Sequence, residues 1–260
     1  MSRILITGCS KGLGRATAIE LARRGHEVVA TARKPETLAD LPVAARLALD
    51  VMVDASVRRA VRDAGHVDVL VNNAAEIALA PIESFPLQEV RHLYEINFFG
   101  ALRMIQAVVP AMRERRAGTV VNISSVAGRV ARPLNGIYSS TKWALEAISE
   151  SLRVELGHFG VRVVLVEPGM IGTGALDAPR SFYRQDDPYL PLAAAMALPP
   201  REKMTPTEAI AGAVADAVES PDRRFRWPAG SDAEAILAMR AKLDDAALDA
   251  ALRSASGLDW

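Results

Sequence analysis

The sequence predicts a doubly wound α/β fold, one parallel sheet with helices on both faces. Three observations carry the prediction. Short β-rich runs alternate with segments of helical period along the 260 residues, the pattern of successive βαβ units. The runs are near-continuously apolar, as strands covered on both faces must be. The first run breaks straight into glycines that open a helix. Crossovers between such strands are expected to be right-handed.

In chain order, residues 4–7 (Ile-Leu-Ile-Thr) form the first strand. Residues 12–24 form the first helix, with Leu13, Ala16, Ile19 or Glu20, and Ala22 or Arg23 around it and Gly25 closing it. Strands follow at 28–31 and 46–49, a helix at 54–64, and a strand at 67–71. A long helix is predicted over 87–116, a strand over 119–123, a helix over 138–159 closed by Gly160, and a strand over 161–166. Past Pro168 the periodicity is lost. Residues 170–204 mix Gly, Pro, Tyr and Met, and a long irregular insertion in a compact α/β chain is usually functional. Thr205 and Pro206 open a helix over 205–219, residues 224–227 make a last strand, and Ala-rich 231–256 reads as two short helices. No linker or repeat interrupts this order, so 1–260 is expected to be a single domain.

Composition excludes several classes. Basic and acidic residues number 31 each, so there is no electrostatic footprint for nucleic acid or an anionic membrane. A lone cysteine, Cys9, cannot form an internal disulfide and suits a reducing compartment. No stretch approaches the ~20 apolar residues that cross a bilayer, and residues 4–7 are too short for a signal-peptide core. A cytoplasmic protein is expected. His26, His66, His92 and His158 are scattered at no metal-ligand spacing, so no metal is expected. The run Arg223-Arg224-Phe225-Arg226 reads as a solvated strand edge.

The first strand runs into Thr7-Gly8-Cys9-Ser10-Lys11-Gly12-Leu13-Gly14. Glycines here allow positive φ and close backbone approach. The helix that follows offers free N–H groups and a positive dipole end to a diphosphate. The spacing G-x-x-x-G-x-G differs from the commoner G-x-G-x-x-G, and no Lys-Ser or Lys-Thr follows to make a P-loop. Gly8, Ser10, Lys11, Gly12, Leu13 and Gly14 are therefore candidate dinucleotide-binding residues. Cys9 within the loop reads as a small packing residue rather than a reactive thiol.

Further segments extend the pattern: Asn72-Asn73-Ala74-Ala75, Ile96-Asn97-Phe98-Phe99-Gly100, Asn122-Ile123-Ser124-Ser125, Tyr138-Ser139-Ser140-Thr141-Lys142 and Pro168-Gly169-Met170-Ile171-Gly172-Thr173. With the glycine loop they stand in the order of the short-chain dehydrogenase/reductase family. The chain resembles that family over residues 3–175, with Ala75 where its N-N-A-G segment has glycine. The resemblance implies a Rossmann-type fold and a nicotinamide cofactor. It implies that Tyr138 is the acid/base at a carbonyl or alcohol oxygen, that Ser125 hydrogen-bonds that oxygen, that Lys142 assists and holds the nicotinamide ribose, and that Asn97 anchors a water chain to Lys142. It assigns adenine contact to Asp50 and amide contact to Thr173, and it adds Val51, Asn73, Ala74, Pro168, Gly169 and Ile171 to the cofactor site. Ser124 reads as a structural neighbour.

Elementary chemistry supports the Tyr–Lys pair. Tyr138 and Lys142 are four residues apart, one turn along one helical face. A tyrosine pKa near ~10 is too high for efficient proton transfer at neutral pH, and a nearby ammonium is expected to lower it. Cofactor choice follows from charge. The second strand ends Ala30-Thr31-Ala32-Arg33-Lys34, with no acid for a ribose 2′-hydroxyl. Arg33 can fork onto a 2′-phosphate and Lys11 adds a second cation, so NADP(H) is expected over NAD(H).

Met170, Phe182, Tyr183 and Tyr189, with Leu190 and Met196 nearby, are candidates to line an apolar substrate pocket. Arg180, Arg184, Asp186 and Asp187 read as a solvated tip. The leading expectation is a hydride-transferring reductase or dehydrogenase for an apolar ketone or secondary alcohol. A 3-oxoacyl-thioester reductase would need a basic patch, for which Arg129, Arg132, Arg180 and Arg184 are the candidates. A non-catalytic NADP-sensing protein would have lost Tyr138 or Lys142. By resemblance, the helices at 87–116 and 138–159 pair in a homodimer or homotetramer. Trp143, Leu145 and Ile148 face either that partner or the chain's own core.

Overall fold

The computed structural model describes residues 1–172, 180–197 and 199–256. Its strands are β1 (Arg3–Ile6), β2 (Glu27–Ala32), β3 (Ala45–Ala48), β4 (Val69–Asn72), β5 (Ala78–Leu79), β6 (Gly118–Ile123), β7 (Val161–Pro168), β8 (Arg180–Ser181) and β9 (Arg226–Ala229). Its α-helices are α1 (Gly12–Arg23), α2 (Asp54–Ala64), α3 (Leu87–Tyr94), α4 (Gly100–Glu114), α5 (Gly136–Gly157), α6 (Leu190–Ala195), α7 (Thr207–Glu219), α8 (Ser231–Arg240) and α9 (Asp245–Ser256).

The main sheet is parallel throughout, in the order β3-β2-β1-β4-β6-β7-β9. Strand order reverses between β1 and β4, and the crevice at the carboxyl ends of strands beside such a reversal is where open α/β sheets take ligands. Strand alternation divides the core into two layers. Ile4 and Ile6 of β1 join Leu13 and Leu21 of α1 and Val214 of α7. Leu5 points the other way, to Val57 of α2, Met104 and Val108 of α4 and Leu156 of α5. No helix among the described residues is long and apolar enough to cross a membrane.

Several elements differ from expectation, each for an identifiable reason. The predicted helix over 87–116 is interrupted by a π-helical turn, Glu95–Phe99, between α3 and α4. Such one-turn insertions re-aim a side chain, and here Asn97 is buried within the turn. β3 lies at the sheet edge and alternates half-buried with exposed residues, so Arg46 and Ala48 face outward. The last strand begins at Arg226 rather than Arg224 and runs on through Pro228; an edge strand tolerates proline. β5 and β8 pair over two residues each, too short to show any period. On α1, Ile19 faces outward at 40% exposure while Thr17, Ala18 and Leu21 are buried.

Candidate active site

β1 delivers the chain to Gly8, whose φ of 74° favours glycine, and a Cβ there would stand 2.9 Å from Ala74 Cα. The loop after β4 is tied to this turn. Thr7 Oγ1 accepts the N–H groups of Asn73 and Ala74, both at 2.9 Å. Asn73 Nδ2 donates to Thr7 O at 2.8 Å and Gly8 O at 3.2 Å. A Cβ on Gly14 would overlap Asn73 Nδ2 and Gly8 O. The first turn of α1 carries no acid, and Lys11 at its N-cap makes no side-chain cap. Its N–H groups and dipole are thus available to an anion, and the cradle fits a dinucleotide diphosphate. Ser10 and Lys11 are exposed, whereas Leu13 packs inward. Cys9 is buried in the core, and burial pushes its thiol up to about 12, as an inert packing residue requires.

At the rim, Asp50 Oδ1 accepts Met52 N–H at 3.0 Å, and Val51 is buried against Gly100. Arg33 is exposed past the end of β2, and its Nη2 stands 3.9 Å from Glu76 Oε1. The sequence reading noticed that no acid ends β2; it missed that Glu76 arrives from the loop after β4.

Four side chains converge beside the cradle. Ser125 follows β6 and caps the turn Val126–Gly128, accepting Ala127 N–H at 3.1 Å and donating to Pro168 O at 3.4 Å. Tyr138 stands in the first turn of α5. Lys142, one turn on, is buried, its Nζ 2.8 Å from Ile123 O and 5.9 Å from the centre of the Tyr138 ring. Asn97 Nδ2 donates to Glu76 O at 2.9 Å and Thr141 Oγ1 at 3.1 Å, and its Oδ1 accepts Glu76 N–H at 2.8 Å. The π turn therefore locks Asn97 between the β4 loop and α5. Ser124 is buried alongside.

One electrostatic expectation is corrected. Burial pushes the Tyr138 phenol up to about 12, with the Ser125 hydroxyl pulling the other way. The neighbouring ammonium, its Nζ 5.9 Å from the centre of the Tyr138 ring, does not reverse this in the protein alone, and burial acts on Lys142 too. It pushes Lys142 down to about 8, opposed by the Glu146 carboxylate.

A family model for short chain dehydrogenase matches residues 2–183. The chain belongs to the short-chain dehydrogenase family. It is 41% identical to a 3-ketodihydrosphingosine reductase of Bacteroides thetaiotaomicron over 178 residues, 67% of this chain and 65% of that protein. It is 40% identical to retinol dehydrogenase 8 of Bos taurus over 184 residues, 65% of this chain and 59% of that one. The chain thus spans less than two thirds of the length of both relatives. Among solved structures, a short-chain dehydrogenase from Streptomyces avermitilis superposes with a TM-score of 0.82 at 33% identity, covering 99% of this chain and 98% of that one. A short-chain dehydrogenase from Burkholderia cenocepacia in complex with NADP gives 0.80 at 29% identity, covering 96% and 97%.

In this short-chain dehydrogenase, the Pro168 loop is clamped from both sides. Gly169 N donates to Ala229 O at 3.1 Å, and Met170 N to Asp232 Oδ2 at 2.7 Å. On the other side Thr205 N donates to Met170 O and Gly172 N to Thr205 O, both at 3.0 Å, with Ile171 bridged to Thr205. Thr173 lies outside the described residues. Of the four pocket candidates, Tyr183 and Tyr189 both engage Asp187. Phe182 packs on Phe85 at 5.5 Å between ring centres, in a small core with Leu93. Tyr183 is half-buried, its phenol raised by burial and then by Asp187. Tyr189 donates its N–H to Asp187 Oδ1 at 3.0 Å, and Met170 is held as above.

The supposedly solvated tip is corrected at one residue. Asp187 is buried and caps backbone N–H groups. Arg180 is exposed as expected and pairs with Glu76 and Glu89. Arg226, read as a solvated edge, instead reaches the buried carboxylates Glu146 and Glu167. The sequence reading also missed Asp232; an acid in the first turn of a helix just past the last strand was the available signal.

Proposed function

We propose that the chain is an NADP(H)-dependent oxidoreductase that transfers hydride between the nicotinamide and an apolar ketone or secondary alcohol. The observation that carries this is the convergence of Ser125, Tyr138 and Lys142 beside the glycine cradle. Bound there, the nicotinamide supplies the hydride in reduction and accepts it in oxidation. Gly8, Ser10, Gly12, Leu13 and Gly14 would hold its diphosphate, Asp50 and Val51 the adenine side, and Asn73, Ala74, Pro168, Gly169 and Ile171 the rest, with Thr173 assigned by the family resemblance. Tyr138 delivers its proton to the carbonyl oxygen in reduction and takes one back in oxidation. The phenol is protonated at neutral pH, the state a donor needs, but burial makes it a weaker acid, so proton delivery relies on the groups that stabilise the phenolate. Ser125 orients the substrate oxygen, and Lys142 stabilises the phenolate as it forms. Asn97 fixes the β4 loop against α5 and so supports the same helix.

Arg33 and Lys11 support NADP(H), both being exposed cations at the rim. The two relatives are named for a keto compound and for retinol, in keeping with an apolar substrate near Phe182, Tyr183, Tyr189 and Met170. Acid partners at Arg129 and Arg180 weaken the basic patch a thioester carrier would use. Retention of Tyr138 and Lys142 speaks against a purely sensing role.

The test is a panel of ketones and alcohols followed by NADPH absorbance, with Tyr138→Phe alongside. Turnover should fall at least ~100-fold in the variant while NADPH binding persists. Equal rates would sink the mechanism. Fluorescence titration should show tighter NADPH than NADH binding, with Arg33→Ala erasing at least ~10-fold of that preference. Tighter NADH binding would remove the cofactor assignment.

A further inference from the structure

Two buried carboxylates, one on α5 and one near the end of β7, have no role in this mechanism. Glu146 lies one turn beyond Lys142 and is 5% exposed; Glu167 directly precedes Pro168 and is 1% exposed. Acids this deep persist as charges only when paired. Arg226 of β9 reaches both, its Nη2 3.1 Å from Glu146 Oε2 and its Nε 3.4 Å from Glu167 Oε1. Arg129, just past the Ser125 turn, puts Nη1 3.5 Å from Glu167 Oε1. Arg226 also meets Glu150, farther along α5. The Ser124 hydroxyl stands beside Glu146. Packing here is tight: a Cβ on Gly128 would lie 3.0 Å from Glu146 Cγ and 2.8 Å from Ser124 Oγ.

The elements joined by these charges carry the active site. Arg129 extends the Ser125 turn, Glu146 shares α5 with Tyr138 and Lys142, Glu167 leads into the Pro168 loop, and β9 supplies the arginine that ties them. Among the described residues, Lys142 Nζ bonds a neutral carbonyl, Ile123 O, which offers no countercharge. Glu146, one turn along the same helix and buried with Lys142, opposes the burial that drives the ammonium toward its neutral form. Burial works against the Glu146 charge in turn, while Arg226 and Arg129 sustain it.

We propose that Glu146, fixed by Arg226, is a positioning residue that keeps Lys142 charged and seated against Ile123 O. This rests on the hydride-transfer reading for its functional meaning, but one arm of the test is independent of turnover. The chain has five lysines, Lys11, Lys34, Lys142, Lys203 and Lys242, so lysine side-chain carbon NMR can follow Lys142, assigned by its loss in Lys142→Met. In the wild type it should titrate at about 8. In Glu146→Gln, similar in volume, the midpoint should fall by about one unit, and the alkaline limb of kcat/KM should fall with it. Glu146→Asp, which keeps the charge, should restore most of both. A correctly folded Glu146→Gln protein whose Lys142 midpoint and pH limb stay put overturns the proposal. If that variant does not fold, carboxyl-carbon NMR of the wild type decides. Glu146 must read as ionised at pH 7 and respond as Lys142 loses its proton, and a neutral acid there overturns the proposal equally. A shifted midpoint in a protein that turns over no ketone or alcohol would strike the hydride-transfer reading and leave the charge coupling standing.

Discussion

At the scale of single residues, the site is built from groups the fold would rather not bury. Lys142 shows this most clearly. Its ammonium falls from an ordinary 10.5 to about 8 in the folded chain, so between those values the unfolded chain binds more protons than the folded one. Stability contributed by this group therefore rises with pH through that window, and its full burial cost stands below pH 8. Lys142→Met removes the cost. At pH 7 the variant should melt a few degrees higher than wild type while turnover falls at least ~100-fold. Its thermal advantage should shrink as pH climbs from 8 toward 10.5. A lower melting temperature at pH 7 would mean that the Nζ bond to Ile123 O outweighs desolvation. Glu167 is the mirror case. Burial raises it to about 7 from 4.5, so its contribution to stability is fully present below pH 4.5 and is lost as pH rises to 7. The melting advantage of Glu167→Gln should therefore grow over that interval and level off above it, as differential scanning calorimetry would record. A constant difference across the interval would contradict the assignment.

At the scale of elements, the informative unit is the junction of β7, β9 and α8. The Asp232 carboxylate accepts Met170 N–H and meets Thr205 Oγ1 at 3.4 Å, and a Cβ on Gly169 would overlap it. The first turn of α8 thus sets the height of the loop proposed to face the nicotinamide. Asp232→Ala should raise KM for NADPH about tenfold with a smaller loss in kcat. Asp232→Asn keeps an acceptor for Met170 N–H and should stay within about threefold of wild type. Equal effects of both variants would show that charge, not position, matters there. The same junction explains what the sequence made legible. The β1 turn, its glycines and the Tyr138–Lys142 spacing are local, and local periodicity and turn chemistry report them. Asp232 and Met170 are 62 residues apart and Arg226 and Glu146 are 80 apart, so no window of sequence contains either pair. The π turn around Asn97 hid inside an otherwise helical pattern because its cause, the Glu76 backbone, comes from another element.

At the scale of the molecule, the apolar residues left outside the two core layers become the question. On α5, Leu145 is buried and Ile148 packs into the core, but Trp143 is 47% exposed and Val154 78%. Those two are eleven residues apart, about three turns, and so share a face. Phe99, where the π turn meets α4, is 40% exposed. A single large apolar residue on a surface needs no explanation, whereas a helical face that repeats them is the kind of patch that marks an interface. Helices α4 and α5 are also the pair that the family resemblance expects to meet across a dimer. Light scattering at micromolar concentration should therefore give at least twice the 27.9 kDa chain mass. The double variant Trp143→Glu, Val154→Glu places two carboxylates on that face and touches no core residue. It should shift the mass toward the single chain while retaining the far-UV circular dichroism of the wild type. A wild type that runs at 27.9 kDa would leave this face without a partner copy, and a double variant that stays associated would place the contact elsewhere on the surface.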